Sequence, residues 1–160
     1  MVITQPAVLA VNITAANNVS CYGGNNGSAN ANVTGGTVPY SYMWSNGGTS
    51  ATETGLSAGT YTVNVVDSNG CNTTASVTIT QPANALAASI SSSSGVSCNG
   101  GNNGSATAAA TGGTGPYVFS WSNGGSSATD NNLSIGTYTV TITDAHGCTA
   151  TASATITQPA

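Results

Sequence analysis

The chain repeats itself once, with a period of 77 residues. Short motifs that begin at Cys21, Trp44, Gly59, Gly70 and Ile79 all return, in the same order, 77 positions later. The register is therefore the same at both ends of the repeated unit. A period of this length corresponds to a small domain, because the repeats of solenoid proteins are about 20–45 residues long. We predict two tandem repeat domains, at 7–82 and 83–159.

The first six residues resemble the end of a repeat. Ile3-Thr-Gln-Pro6 has the same sequence as Ile79-Thr-Gln-Pro82 and Ile156-Thr-Gln-Pro159. We therefore expect 1–6 to be the tail of a preceding repeat, and the chain to be an excerpt from a longer array.

Strict alternation of apolar and polar residues predicts an all-β fold. Val11 and Ile13 alternate with polar residues, and Tyr42 and Trp44 do so in a later segment. This period of two is typical of strands with one buried face, whereas no segment shows the 3.6-residue period of a helix. Six or seven short strands per repeat, separated by Asn-Gly turns, favour a β-sandwich.

An immunoglobulin-like sandwich is predicted from three features of each repeat. These are a tryptophan on a middle strand, a pair of cysteines and a Gly-Thr-Tyr motif before the penultimate strand. The predicted core residues are Trp44, Tyr61, Trp121 and Tyr138. Each of the two tyrosines is either a tyrosine corner, in which the hydroxyl bonds to the backbone, or a simple core residue.

The four cysteines predict one intradomain disulfide in each repeat. Cys21 and Cys71 are 50 positions apart, and so are Cys98 and Cys148. An even count with equal spacing indicates disulfides formed in an oxidising compartment. Closing such a loop stabilises a domain by about 4 kcal/mol in the chain-entropy model. The alternative is that the cysteines are buried free thiols.

The chain contains no lysine and no arginine, and its four acidic residues give a net charge of −4. Without cationic side chains, phosphate groups cannot be neutralised, so we expect no nucleic-acid partner. No apolar run is long enough to span a bilayer, which predicts no membrane insertion.

An uncharged surface rich in Thr, Ser and Asn predicts packing against copies of itself and against neighbouring repeats, or a coat of glycans. Asn-x-Ser/Thr sequons occur at Asn12, Asn18, Asn26, Asn32, Asn72, Asn103 and Asn132.

No residue pattern indicates catalysis or a cofactor. Asp67 and Asp144 each precede a glycine by three positions, which makes them weak calcium candidates, although the same pattern is typical of an ordinary type I turn. His146 is the only histidine, and no nucleophile has an evident base nearby in the sequence. We predict that the protein is not an enzyme.

The repeated motifs resemble those of the SprB repeat. The resemblance rests on Cys-x-Gly-Gly-x-Asn-Gly, Gly-Gly-x-x-Pro-Tyr, Trp-Ser-Asn-Gly, Leu-Ser-x-Gly-Thr-Tyr and the terminal Ile-Thr-Gln-Pro. Such repeats are found in very large surface adhesins of gliding Bacteroidota. The resemblance implies a secreted, cell-surface or filamentous protein, exported by a type IX system and without enzyme activity.

These observations together predict a structural repeat of an extracellular filament, stalk or giant surface adhesin, which associates with itself through uncharged polar surfaces. One alternative is a carbohydrate- or surface-binding adhesin module, which would need exposed Trp or Tyr side chains. Another, less favoured, is an ice-binding repeat, because outward threonines such as Thr60, Thr62 and Thr78 form rows. Threonine is also a common residue on exposed strands.

Overall fold

The computed structural model describes residues 5–159 of the chain. The chain divides into two compact units, Met1–Gln81 and Pro82–Ala160. All the regular secondary structure of the described residues is β-strand. No helix in this part of the chain is long and apolar enough to cross a membrane.

Unit 1 is a sandwich of two three-stranded antiparallel sheets. Its strands are β1 (Ala10–Asn17), β2 (Gly27–Thr34), β3 (Ser41–Trp44), β4 (Thr52–Leu56), β5 (Gly59–Val66) and β6 (Asn72–Ile79). One sheet has the order β1-β2-β4 and the other the order β3-β5-β6. The chain changes sheet three times, between β2 and β3, between β3 and β4 and between β4 and β5, as in immunoglobulin domains. The predicted all-β, immunoglobulin-like sandwich is confirmed.

Unit 2 has the same topology. Its strands are β7 (Ala87–Ser94), β8 (Gly104–Thr111), β9 (Val118–Trp121), β10 (Thr129–Leu133), β11 (Gly136–Thr143) and β12 (Thr149–Ile156). The sheets have the orders β7-β8-β10 and β9-β11-β12. Even the irregularities recur, because the first strand of each unit has a register shift, at Ile13/Ala15 in β1 and at Ile90/Ser92 in β7.

A tryptophan lies at the centre of each core. Trp44 is 1% exposed and Trp121 is 3% exposed. The core around Trp44 includes Ala29 and Ala31 of the opposite sheet, whose small side chains leave room for the indole ring. The indole Nε1 of Trp44 donates to the carbonyl of Ser50 at 2.8 Å, so the buried ring keeps a partner for its one polar atom.

The two core tyrosines adopt the geometry of tyrosine corners. Tyr61 is half-buried against the core, and its hydroxyl donates to the carbonyl of Ser57 at 3.0 Å. Tyr138 donates in the same way to the carbonyl of Ser134 at 3.2 Å. In each case the acceptor lies four residues upstream. The hydroxyl therefore anchors the loop before the penultimate strand.

Each unit has two ends, which we name by the direction of the chain. In unit 1 the N-pole, where the chain enters, comprises 5–9, 35–37 and 67–72, and the amide of Gly36 donates to the carbonyl of Ala7 there. The C-pole, where the chain leaves, comprises 18–26 and 80–82, and the amide of Val19 donates to the carbonyl of Thr80. In unit 2 the N-pole comprises 82–86, 112–114 and 144–149, and the C-pole comprises 95–103 and 157–159.

Candidate functional site

One carboxylate organises the N-pole of unit 1. Asp67 is only 6% exposed. Its Oδ2 accepts a hydrogen bond from the amide of Thr37, and its Oδ1 accepts from the amides of Asn69 and Cys71, all at 2.9–3.0 Å. Burial raises the pKa of the Asp67 carboxyl, but the three backbone donors outweigh this and hold the pKa below its ordinary value.

Asp144 repeats this arrangement at the N-pole of unit 2. It is 5% exposed and accepts hydrogen bonds from the amides of Thr114, His146 and Cys148, all at 2.9 Å. Burial raises the pKa of Asp144, whereas the three amides and the charge of His146 lower it. The net shift of the pKa is downward. We call each of these two carboxylates, with its three amide donors, a carboxylate clamp.

The carboxylate clamps account for Asp67 and Asp144 without a calcium ion. A calcium site presents oxygen ligands to the cation, whereas the atoms that surround these carboxylates are N–H donors. Glu53, the other acid of unit 1, accepts from the Asn46 side chain at 3.0 Å, in the turn after β3. Among residues 5–159, no group of three or more His, Cys, Asp or Glu side chains is placed to hold a metal ion.

The cysteines lie at opposite ends of each sandwich, which overturns the predicted intradomain disulfides. Cys71 directly precedes β6 at the N-pole. Cys21 belongs to the C-pole, where the amide of Gly24 donates to its carbonyl and the amide of Gly23 donates to the Gln81 side chain. The eight residues of β6 separate the two poles by about 26 Å, and a disulfide allows at most about 7 Å between Cα atoms.

The bonding states of the cysteines agree with this separation. Cys71 and Cys98 are exposed free thiols. Cys21 and Cys148 are half-buried and disulfide-bonded. Neither Cys21–Cys71 nor Cys98–Cys148 is therefore a disulfide, and that prediction is wrong. The alternative of buried free thiols is also wrong for Cys71 and Cys98, because both are exposed.

A cleft of about 300 Å³ opens at the N-pole of unit 1. Its lining includes Pro6, Val8, Leu9, Asn69 and the Cys71 thiol. This cleft was not predicted from the sequence. The signal for it was weak, because it is assembled from segments about 60 residues apart in the chain.

The outer face of the β5–β6 sheet carries rows of paired hydroxyl groups. Thr60 and Thr78 are 3.2 Å apart at their Oγ1 atoms, and Thr62 and Ser76 are 2.8 Å apart. The same pairs recur on β11 and β12, where Thr139 and Ser153 are 2.9 Å apart. These hydroxyls hydrogen-bond to one another across the strands, and they present a polar surface without charge.

Solved structures that resemble the chain share little sequence with it. Three N-terminal domains of the bacteriophage RB49 outer capsid protein Hoc align at TM-score 0.49 and 18% identity, over 94% of this chain and 58% of that one. A 282-residue C-terminal fragment of intimin, in complex with the intimin-binding domain of its translocated receptor, aligns at TM-score 0.46 and 17% identity, over 94% and 64%. Domains 4 and 5 of the S-layer protein SbsC align at TM-score 0.32 and 16% identity, over 98% and 100%.

The chain thus spans less than two thirds of the Hoc and intimin structures that it matches. No curated protein matches it in sequence.

A family model does match the chain, at two places. The model described as the SprB repeat matches 13–49 and 90–126. The two matches begin at equivalent positions of β1 and β7, and they extend through β3 and β9 into the turns that follow. They therefore cover the same half of both sandwiches, in agreement with the internal repeat. Both repeats of the chain are thus similar to the SprB repeat over their first halves.

Proposed function

We propose that this chain is a structural, non-enzymatic part of a secreted extracellular filament, stalk or large cell-surface adhesin. The observation that carries the proposal is the similarity to the SprB repeat at two equivalent places, in two copies of one sandwich. A duplicated sandwich module supplies length and repeated contact surfaces. In both units the acid that the fold buries most, Asp67 or Asp144, is used to hold backbone amides in place.

We further propose that copies associate through uncharged polar surfaces. Among the edge strands of the sheets, β1, β3 and β6 carry no charged residue, and neither do their counterparts β7, β9 and β12. Charged side chains on edge strands normally prevent pairing between chains. The uncharged edges and the hydroxyl rows beside them support a function in which sheet edges and faces meet those of other copies.

Burial of the tryptophans argues for this structural function over carbohydrate binding. Sugar-binding sites commonly present an exposed aromatic face, whereas Trp44 and Trp121 are both in the core, and Tyr22 is the one exposed ring among the Trp and Tyr side chains of residues 5–159.

Sedimentation velocity over a range of protein concentrations tests the association. We expect the chain to form larger species as its concentration rises. The variant Thr74→Lys/Thr151→Lys places one charge on the exposed face of each of the edge strands β6 and β12, and it should remain monomeric at concentrations where the parent associates. The matched control Thr74→Ser/Thr151→Ser keeps the hydroxyl and should behave like the parent. A parent chain that stays monomeric at all concentrations would contradict the proposed association.

A further inference from the structure

We infer that disulfide bonds can join copies of this chain head to tail, between Cys98 at the C-pole of one copy and Cys71 at the N-pole of another. The proposed function requires only non-covalent packing. The disulfide is a separate, covalent contact. An experiment can therefore rule out the disulfide without ruling out the non-covalent association, and the reverse.

The first step of the argument is that no cysteine has a possible partner within its own unit. In unit 2, Cys148 directly precedes β12, and Cys98 lies in the C-pole turn whose Gly100 amide donates to the Gln158 side chain at 3.2 Å. The length of β12 separates them, as β6 separates the cysteines of unit 1. A disulfide at any of the four positions must therefore reach outside the unit that holds the cysteine.

The second step is the equivalence of positions in the repeat. Cys21 and Cys98 occupy the same place at the C-pole of their units, and Cys71 and Cys148 occupy the same place at the N-pole. At each kind of pole, one copy is disulfide-bonded, at Cys21 and Cys148, and the other carries an exposed thiol. The cysteine position at each kind of pole is therefore one that can form a disulfide. Cys98 and Cys71 are the two cysteines at these positions that are free thiols.

The third step concerns the fit between the two poles. Cys71 borders the N-pole cleft of about 300 Å³, and Val8 on its rim is 83% exposed. Cys98 is carried by a tight turn, in which the amide of Gly101 donates to the Cys98 carbonyl at 3.0 Å, and the thiol is exposed. The C-pole of unit 2 contains no charged residue, so its approach to the Asp67 end of another copy meets no repulsion between like charges. The occupant that we assign to the cleft is therefore the Cys98 turn of a second copy.

The bond forms by oxidation of two thiols, and a disulfide of the glutathione type is a sufficient oxidant. The Cys98 thiolate attacks oxidised glutathione, which gives a mixed disulfide and releases one glutathione thiolate. The Cys71 thiolate of a second copy then attacks the Cys98 sulfur and releases the second glutathione. Two protein thiols are oxidised to one disulfide, and one glutathione disulfide is reduced to two thiols. Because the two poles differ, the contact is heterologous, and it joins successive copies into open chains or closed rings.

The test is electrophoresis of the full chain without reductant, after incubation with a mixture of oxidised and reduced glutathione. We expect a ladder of multiples of 15.4 kDa that a reductant collapses to one band. Cys71→Ser and Cys98→Ser each retain one of the two thiols and should stop at dimers. The double variant Cys71→Ser/Cys98→Ser should stay a covalent monomer, and a ladder in this variant would overturn the inference, as would the absence of a ladder in the parent.

A mixing experiment tests the direction of the bond. Equimolar Cys71→Ser and Cys98→Ser chains, oxidised together, should form a Cys98–Cys71 dimer in excess over both symmetric dimers combined. Random pairing gives equal amounts, and that result, or an excess of symmetric dimers, would overturn the head-to-tail arrangement. The linked peptides can be identified by mass spectrometry after chymotryptic digestion, because trypsin has no site in a chain without Lys or Arg. Sedimentation of the double serine variant then reports on non-covalent association alone.

Discussion

At the scale of single residues, the two most deeply buried carboxylates are held by backbone amides and not by ion pairs. The chain has no lysine or arginine to pair with its acids. Asp67 and Asp144 are nevertheless buried, because each receives three amide hydrogen bonds from two different loops. Such bonds to an ionised carboxylate are stronger than those between neutral groups. Each carboxylate clamp therefore links the loop after β2 or β8 to the last hairpin of the sandwich.

The carboxylate clamps predict that stability falls in acid. The pKa of Asp67 and of Asp144 is lowered in the folded state, so their contribution is fully present above the unfolded-state pKa of about 3.9. It is lost as the pH falls through the folded-state pKa. Urea unfolding between about pH 5 and pH 2 should show a falling midpoint for the parent. Asp67→Asn/Asp144→Asn should be less stable at neutral pH and respond less to acid, whereas the control Glu53→Gln should keep the parent's response. An unchanged slope in the double variant would contradict this account.

The tryptophan indole gives a second prediction at the residue scale. Trp44→Phe removes the donor to the Ser50 carbonyl, and we expect a loss of about 2 kcal/mol in the free energy of unfolding, measured with urea. Tyr22→Phe is the control, because Tyr22 is 52% exposed, and it should change stability by less than about 0.5 kcal/mol. Equal effects of the two substitutions would show that the indole hydrogen bond does not contribute to stability.

At the scale of elements, the close approach of two segments at the N-pole depends on a glycine pair. After β2 the chain turns at Gly35 and Gly36, both with positive φ, of 67° and 62°. A Cβ atom at Gly35 would lie 2.0 Å from the carbonyl oxygen of Val8, which is backbone and cannot move aside alone. The glycine therefore lets the segment before β1 pass directly against the turn after β2.

This contact predicts that Gly35→Ala destabilises unit 1. The positive φ alone costs a residue with a Cβ atom about 1–2 kcal/mol, and the clash with Val8 adds to that cost. Gly59→Ala is the matched control, because its nearest heavy atom would be 3.8 Å from the new Cβ. Thermal unfolding should show a clearly lower midpoint for Gly35→Ala and a nearly unchanged one for Gly59→Ala. Similar midpoints for the two variants would contradict the proposed close contact.

At the scale of the whole molecule, the missing cations determine how association should depend on salt. With four acids and no lysine or arginine, contacts between copies cannot rely on ion pairs between side chains, apart from those that His146 could make. Raising the salt concentration from about 0.05 M to about 1 M screens only a weak mutual repulsion. Sedimentation should therefore show association that is unchanged or slightly stronger at high salt. Assemblies that dissolve in salt would indicate ionic contacts and argue against the proposed polar, uncharged surfaces.

Much of the fold could be predicted because its signals are local. Alternation with a period of two gave the strands and placed Trp44 and Trp121 on their inward faces. The Asp67 turn was likewise visible in four consecutive residues. Its third donor, the Thr37 amide, was not, because Thr37 is 30 residues away and reaches the carboxylate only when the sandwich closes.

The cysteines mark the boundary between properties that follow from local sequence and properties that depend on long-range contacts. The repeat, the strands and the sandwich follow from periodicities that any segment carries within itself. The bonding of Cys21, Cys71, Cys98 and Cys148 does not, because equal spacing along the chain says nothing about distance in space. Strands β6 and β12 run from one pole of their unit to the other, and they keep the two cysteines of each unit apart. The direction of these strands is set by how the strands pair and how the two sheets pack, which is a long-range property of the fold.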